Sequence, residues 1–241
     1  STMVVSNRMA FFSDSLGHGA FTGLAVGVLL GWLSPLLSLV AFSVVFALLI
    51  TYIKNRSSAS TDTIIGVFSS TGIALGLMLM SRGGGFNKYS SYLIGDLLSI
   101  SPEEIGSLFF VFLAVVLVWA LVFNSLLVLS INASFARSRG VAAFLTEGLF
   151  ASVLAVVVAV SIQWVGLLII NSLLVLPAAA ARNIAQDVKS YHLLSVAIAL
   201  LSGVAGLLLA YYCNMAAGAS IVVVAAAVFF LTLLLKPYFV R

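Results

Sequence analysis

From Ala10 onward the chain alternates between long apolar runs and short stretches where polar, basic and glycine residues collect. A membrane-spanning helix needs roughly 20 mostly apolar residues. By that measure eight spans are predicted: Ala10 to Leu33, Leu36 to Ile53, Thr63 to Ser81, Ile105 to Leu129, Val141 to Ile162, Val165 to Ala181, Leu193 to Tyr212 and Gly218 to Leu235. No compositional break or long linker divides them. The expectation is therefore a single domain over residues 1–241, an all-α polytopic transmembrane bundle.

Two connections stand out. The segment "SRGGGFNKYSSYLIGDLLSISPEE" is glycine-rich and then regains apolar character before Pro102. It predicts a short helix over Ser90 to Ser99 lying at or dipping into one membrane face, with Tyr89 and Tyr92 at the lipid–water boundary. The segment "INASFARSRGVAAF" places Ala136, Arg137 and Gly140 at helical spacing. It predicts a small helix on the opposite surface, within reach of a soluble partner.

Charge fixes the orientation. With a cytoplasmic start, Arg8, Lys54, Arg56, Arg137, Arg139, Arg182, Lys189, Lys236 and Arg241 all fall inside, leaving Arg82 and Lys88 outside. Cytoplasmic loops carry such an excess of Lys and Arg, and one missed helix in the middle would mix the two groups. The "INASFARSRGV" segment is then cytoplasmic and the "SRGGGF" segment external.

Composition agrees: 63% of residues are hydrophobic and 7% charged, with a mean hydropathy of +1.25. A soluble domain carries about 25% charged residues. The pI of 9.4 does not point to nucleic acid, because the basic residues are scattered with no stripe or interleaved aromatics. The one cysteine, Cys213, rules out an intramolecular disulfide. The phosphate-binding pattern G-x-x-x-x-G-K-[ST], the zinc-protease pattern H-E-x-x-H and the nucleophile pattern G-x-S-x-G are all missing, so neither ATP hydrolysis by this chain nor protease or lipase chemistry is expected.

Against that oil, "FSDSLGHGAFTG" is costly. Asp14 and His18 are four residues apart, on one face of a helix. A carboxylate at bilayer depth costs about 2.5–3.5 kcal/mol on insertion scales, and such groups usually face a bundle interior and have a task. Oxygen and imidazole nitrogen suit a first-row divalent ion. One intramembrane histidine is too few for a closed structural zinc site, but it suits a transit site from which an ion must also leave. The small residues around the pair, Ser13, Ser15, Gly17, Gly19 and Ala20, admit a neighbouring helix or a second subunit. The plainer reading is that Asp14 caps the helix and His18 is hydrogen-bonded in a packed core.

Other polar groups divide similarly. Asp62 is expected to cap the third span, while Glu103 and Glu104 follow Pro102 in a first helical turn, where negative charge offsets the dipole. Asp96 either lines an entrance or caps its segment. Asn171 either offers an amide oxygen to a permeating ion or bonds across helices. Glu147, deeper in its helix, either faces the interior or pairs with a helix end. His192 is expected at the cytoplasmic interface. Gly203 and Gly206 in "LLSGVAGLLLA" are expected to let helices pack closely.

Several segments together resemble one family, the permease subunits of bacterial ABC importers for zinc and manganese, the ZnuB-like group. "RMAFFSDSLGHGAFTGLAVG" is similar to its first signature, with Asp14 and His18 at the acidic and histidine positions. "STDTIIGVFSSTGIALGL" carries its D-T-x-x-G pattern at Asp62, Thr63 and Gly66, and "YLIGDLLSISPEEI" resembles its Y-L-x-G-D-L-L stretch. "GLLIINSLLVLPAAAAR" is close to its L-L-x-x-P-A-A-x-A-R helix. "NASFARSRGV" resembles the family's D-P-x-x-A-R-x-x-G-V coupling helix, matching at Ala136, Arg137, Gly140 and Val141, with Asn132 and Ala133 where Asp-Pro is usual. Before Gly218 an alanine stands where the family usually has proline.

The resemblance implies a multi-pass permease of the bacterial inner membrane. It implies a homodimer, two cytoplasmic ABC ATPases docked on the coupling helices, and an extracytoplasmic metal-binding receptor. It also implies a further helix ahead of "RMAFF", for nine in all. No permanently bound cofactor is expected; zinc or manganese is cargo, with Asp14 and His18 as a low-affinity site and Asp96, Asn171 and Glu147 as further pathway candidates. The alternatives are an ABC permease for a metal chelate, an ion transporter or channel working without ATP, and a membrane scaffold.

Overall fold

The structure, a computed structural model, describes residues 1–7, 9–31, 34–82, 95 and 100–239. Its described elements are helical: α1 (Thr2–Ser6), α2 (Ala10–Leu30), α3 (Pro35–Arg56), α4 (Thr61–Arg82), α5 (Pro102–Ile131), α6 (Ala133–Ser138), α7 (Ala143–Val165), α8 (Leu167–Ile184), α9 (Val188–Cys213) and α10 (Ala217–Phe239). Each predicted span corresponds to one long helix. Six of them, α3, α4, α5, α7, α9 and α10, are long and apolar enough to cross a membrane by length and composition alone. The remaining two are α2, which carries the polar "SDSLGHG" stretch, and α8, an 18-residue helix with Pro177 inside it. The protein is a polytopic helical membrane protein.

Helix ends follow from local chemistry. Ser34 caps α3 through its side chain, with Pro35 at the first helical position, where a missing N–H costs nothing. Ser101 and Glu104 form a reciprocal capping box at the start of α5. At α4 the expectation is corrected: Ser60, not Asp62, receives the Thr63 N–H, and Asp62 lies exposed in the first turn, where its charge still offsets the helix dipole. Between α7 and α8 the chain breaks at Gly166, whose φ of 85° an L side chain rarely adopts.

At the centre stands α2, packed against α3, α4, α7 and α8. Its glycines make that crowding possible. A Cβ on Gly19 would lie 2.5 Å from Phe46 Cδ1, one on Gly23 would lie 2.5 Å from Phe42 Cβ, and one on Gly27 would lie 2.4 Å from Ser38 Cβ. These are every fourth residue on each helix, running in opposite directions, so α2 and α3 meet along an antiparallel ladder of small against large side chains. On another side, a Cβ on Gly76 of α4 would lie 2.8 Å from Phe21 Cδ1 of α2, and the buried Thr22 hydroxyl donates to the Gly72 carbonyl of α4.

Two apolar clusters result. The inner one joins Phe12 and Leu16 of α2, Phe46 and Ile50 of α3, and Leu154 and Val158 of α7. The outer one joins Phe21 and Leu24 of α2, Met80 of α4 and Ile162 of α7. Helices α9 and α10 pack on α8 and on each other. Gly206 bears out the close-packing expectation, since a Cβ there would lie 2.4 Å from Ile221 Cα; Gly203 does not, for nothing lies within 4 Å of it. Helix α5 stands at the periphery against α7, its apolar length exposed through Phe109, Phe110, Phe112, Leu117 and Leu121.

Candidate metal site in the first long helix

Asp14 and His18 lie on α2 as their spacing requires, with His18 Nε2 3.4 Å from Asp14 Oδ2. The capping alternative fails for Asp14, because the residue before the helix is Met9 and the carboxylate sits a full turn inside. Side-chain exposure is 17% for His18 and 40% for Asp14. The pair therefore lies at the boundary of the folded chain, not in its core. Phe11, one turn before Asp14, is exposed beside it.

The packed-core alternative for His18 is also unmet. His18 Nδ1 is buried and has no hydrogen-bond partner, and the neighbouring Ser15 hydroxyl is likewise buried and unpaired. Buried polar atoms normally find partners, so such atoms call for a ligand, water or ion to complete them. Among the described residues no group of three or more His, Cys, Asp or Glu gathers. One chain thus offers a two-residue partial ligand set, short of the four ligands that zinc favours.

The helix is held rigidly behind the pair. The Ser13 hydroxyl lies against both Ala10 O, at 2.8 Å, and Asn171 Oδ1, one proton shared between two acceptors. Asn171 therefore engages α2 on the residue next to Asp14, and this is the helix-bridging alternative for it. Gly17 lets α8 close on the same stretch, its Cβ position lying 2.9 Å from Leu167 Cδ1.

Glu147 lies elsewhere. Its Oε2 accepts from Lys54 Nζ at 3.2 Å and from Asn55 Nδ2 at 3.1 Å, tying the last turn of α3 to the beginning of α7. Sequence reasoning missed both partners. The available signal was Lys54 and Asn55 at the polar end of an apolar run. The pair borders a polar cavity of about 280 Å³ between Ser6, Asn7, Ser130 and Phe150. Asp96 lies outside the described residues, as do Lys88, Tyr89, Tyr92 and, apart from Gly95, the proposed helix from Ser90 to Ser99. Gly95 itself, at φ 76°, sits so close to the α7–α8 break that a Cβ would lie 2.3 Å from the Val165 carbonyl carbon.

The predicted coupling segment forms α6. Asn132 caps it, its Oδ1 accepting from the N–H groups of Ser134 and Phe135 at 2.9 and 3.0 Å. Asparagine thus serves at the position where Asp is usual, and the helix starts at Ala133 without the proline. Ala136 is buried; Arg137, Arg139 and Gly140 are exposed, with the Arg139 guanidinium 5.0 Å over the Phe135 ring. Gly140, at φ 78°, and the Val141 N–H on Ala136 O, at 3.1 Å, turn the chain into α7.

A bundle of long apolar helices around a central helix that carries a part-exposed carboxylate beside a largely buried imidazole suits a membrane permease. Residues 1–236 match the ABC 3 transport family, and the chain belongs to it. The manganese import system permease protein ScaB of Streptococcus parasanguinis is 30% identical over 234 residues, covering 97% of this chain and 83% of that protein. The high-affinity zinc uptake system membrane protein ZnuB of Haemophilus influenzae is 30% identical over 222 residues, covering 90% and 84%. Among solved structures, PsaBC from Streptococcus pneumoniae in complex with Fab matches with a TM-score of 0.82 at 30% identity, over 96% of this chain and 83% of that one.

Proposed function

We propose that this chain is the permease of an ATP-driven importer that moves a divalent transition-metal ion, zinc or manganese, across the bacterial inner membrane into the cytoplasm. Asp14 and His18 hold the ion in transit. The observation that carries the reading is the pair itself, two ionisable groups on the central helix of an apolar bundle with a buried imidazole nitrogen left unpaired. In this family, the relatives' names speak of manganese import and zinc uptake.

Half-exposed charge against lipid is unfavourable, so the face bearing Asp14 calls for cover. A second copy supplies it. The exposed face of α4 carries Thr63, Gly66, Ser70, Thr71 and Ala74 beside the larger Val67, and its small residues admit close helix contact. Two copies together bring two carboxylates and two imidazoles, the number of ligands a tetrahedral ion takes. Ligand chemistry of this kind accepts zinc and manganese alike, and a receptor outside the membrane performs the selection. ATP hydrolysis belongs to separate cytoplasmic subunits docked on α6, whose exposed Arg137 and Arg139 face the cytoplasm.

Uptake by the assembled importer tests this. Asp14→Asn and His18→Gln each reduce zinc or manganese uptake to background while co-purification with the ATPase persists. Normal uptake in the double variant overturns the reading.

A further inference from the structure

We propose that Glu147 is a positioning residue, the strut that carries motion of the cytoplasmic helix α6 to the ion site. This rests on the permease reading above, and it gives Glu147 a task away from the ion path. The geometry is specific. Helix α6 leads into α7 through Arg139, Gly140, Val141 and Ala142, and Glu147 stands five residues into α7. One carboxylate oxygen there receives two donors from consecutive residues of α3, Lys54 and Asn55.

Most surface ion pairs do little, because water screens them and long side chains resist confinement. This one differs. The side chains of Lys54 and Glu147 are only 25% and 21% exposed, and Asn55 Nδ2 also donates to its own helix at Thr51 O, 2.9 Å away, which holds it in place. The lysine also lies in the last turn of α3, where positive charge suits the helix dipole.

From Lys54 and Asn55 the connection continues by packing. Helix α3 carries Phe46, Phe42 and Ser38 against Gly19, Gly23 and Gly27, contacts so close that one helix cannot shift without carrying the other. Gly19 follows His18 directly. A displacement of α6 thus reaches the Asp14–His18 helix through an ionic clamp and a glycine ladder, each a physical contact. The polar cavity of about 280 Å³ beside the clamp, bordered by the ends of α1, α2 and α5, leaves the clamped ends room to swing. Apolar contacts between α3 and α7 run on both sides of the clamp, from the Tyr52 and Phe144 rings, 6.4 Å apart, to Leu48 beside Gly148 and the inner cluster, and keep the two helices together when the clamp is cut.

The test uses the full importer in liposomes, with zinc and manganese as cargo, measuring metal ions moved and ATP hydrolysed in the same sample. Glu147→Gln lowers the ratio of metal to ATP by about 3-fold or more, the scale at which single residues alter coupling between sites, while hydrolysis continues. The charge swap Lys54→Glu with Glu147→Lys restores part of the ratio, because the ion pair returns while the Asn55 amide stays on Thr51 O. An unchanged ratio in Glu147→Gln overturns the strut. So does a parallel loss of transport and hydrolysis, which marks a merely structural residue. Should Glu147→Gln fail to assemble, Asn55→Ala carries the test: a lowered ratio supports the strut and an unchanged one overturns it. Failure of the unaltered importer to move either metal counts instead against the permease reading.

Discussion

Replacing Gly23 by alanine isolates one close contact between α2 and α3. The added Cβ would sit 2.5 Å from Phe42 Cβ and 3.0 Å from the Ser38 carbonyl oxygen. Both neighbours are fixed to the α3 backbone, so no rotamer change relieves them. Ordinary carbon contacts lie near 3.5–4.0 Å, so α2 and α3 must part by about 1 Å, opening the ladder on either side. Overpacking of this kind costs about 1–3 kcal/mol. Alanine also gains up to about 1 kcal/mol over glycine in a helix, which would mask part of the loss. Gly203→Ala removes that ambiguity, because Gly203 is also inside a helix but meets nothing within 4 Å. The difference between the two variants is then the packing cost alone. At about 2–4 °C per kcal/mol, Gly23→Ala melts about 2–12 °C below Gly203→Ala in a detergent thermal-unfolding assay. Equal melting temperatures would refute the ladder as a rigid contact.

Substitutions at three further positions probe the ends of the helices. Asn132→Ala removes the acceptor for two N–H groups of α6 and costs that six-residue helix about 1 kcal/mol; binding to the ATPase weakens about 5-fold, whereas Asn132→Asp keeps the cap and binds normally. Gly95→Ala combines a positive φ with a backbone clash against Val165, and Gly31→Ala has the positive φ with open space. The first loses about 2 kcal/mol or more and the second about 1 kcal/mol, read as the difference between their thermal unfolding midpoints.

Much of the fold was legible because bilayer physics is blunt. Apolar runs of spanning length gave the number and order of the long helices, and Pro102, Glu103 and Glu104 marked a helix start, where the structure adds Ser101 as the partner of Glu104 in a capping box. At α4, Asp62 is the cap the sequence suggests, but Ser60, with the same capping chemistry, takes the role because its hydroxyl reaches the Thr63 N–H. Asp14 and His18 were legible as a pair from the period of the helix. Their exposure was not, since periodicity says which residues share a face but not what covers it. The partners of Glu147 lie about 90 positions away in the chain; Lys54 and Asn55 stand out as polar residues at the end of an apolar run, but nothing local pairs them with Glu147. Glycine behaves likewise: Gly203 and Gly206 look alike in sequence, yet only Gly206 meets a neighbouring helix.

Anomalous diffraction from the assembled importer, with zinc or manganese trapped in the membrane domain, tests the central claim most directly. The account predicts a metal peak about 2.0–2.2 Å from an imidazole nitrogen of His18 and a carboxylate oxygen of Asp14, lost in Asp14→Asn. A trapped ion bound elsewhere in the membrane domain, with Asp14 and His18 turned to lipid, would contradict it.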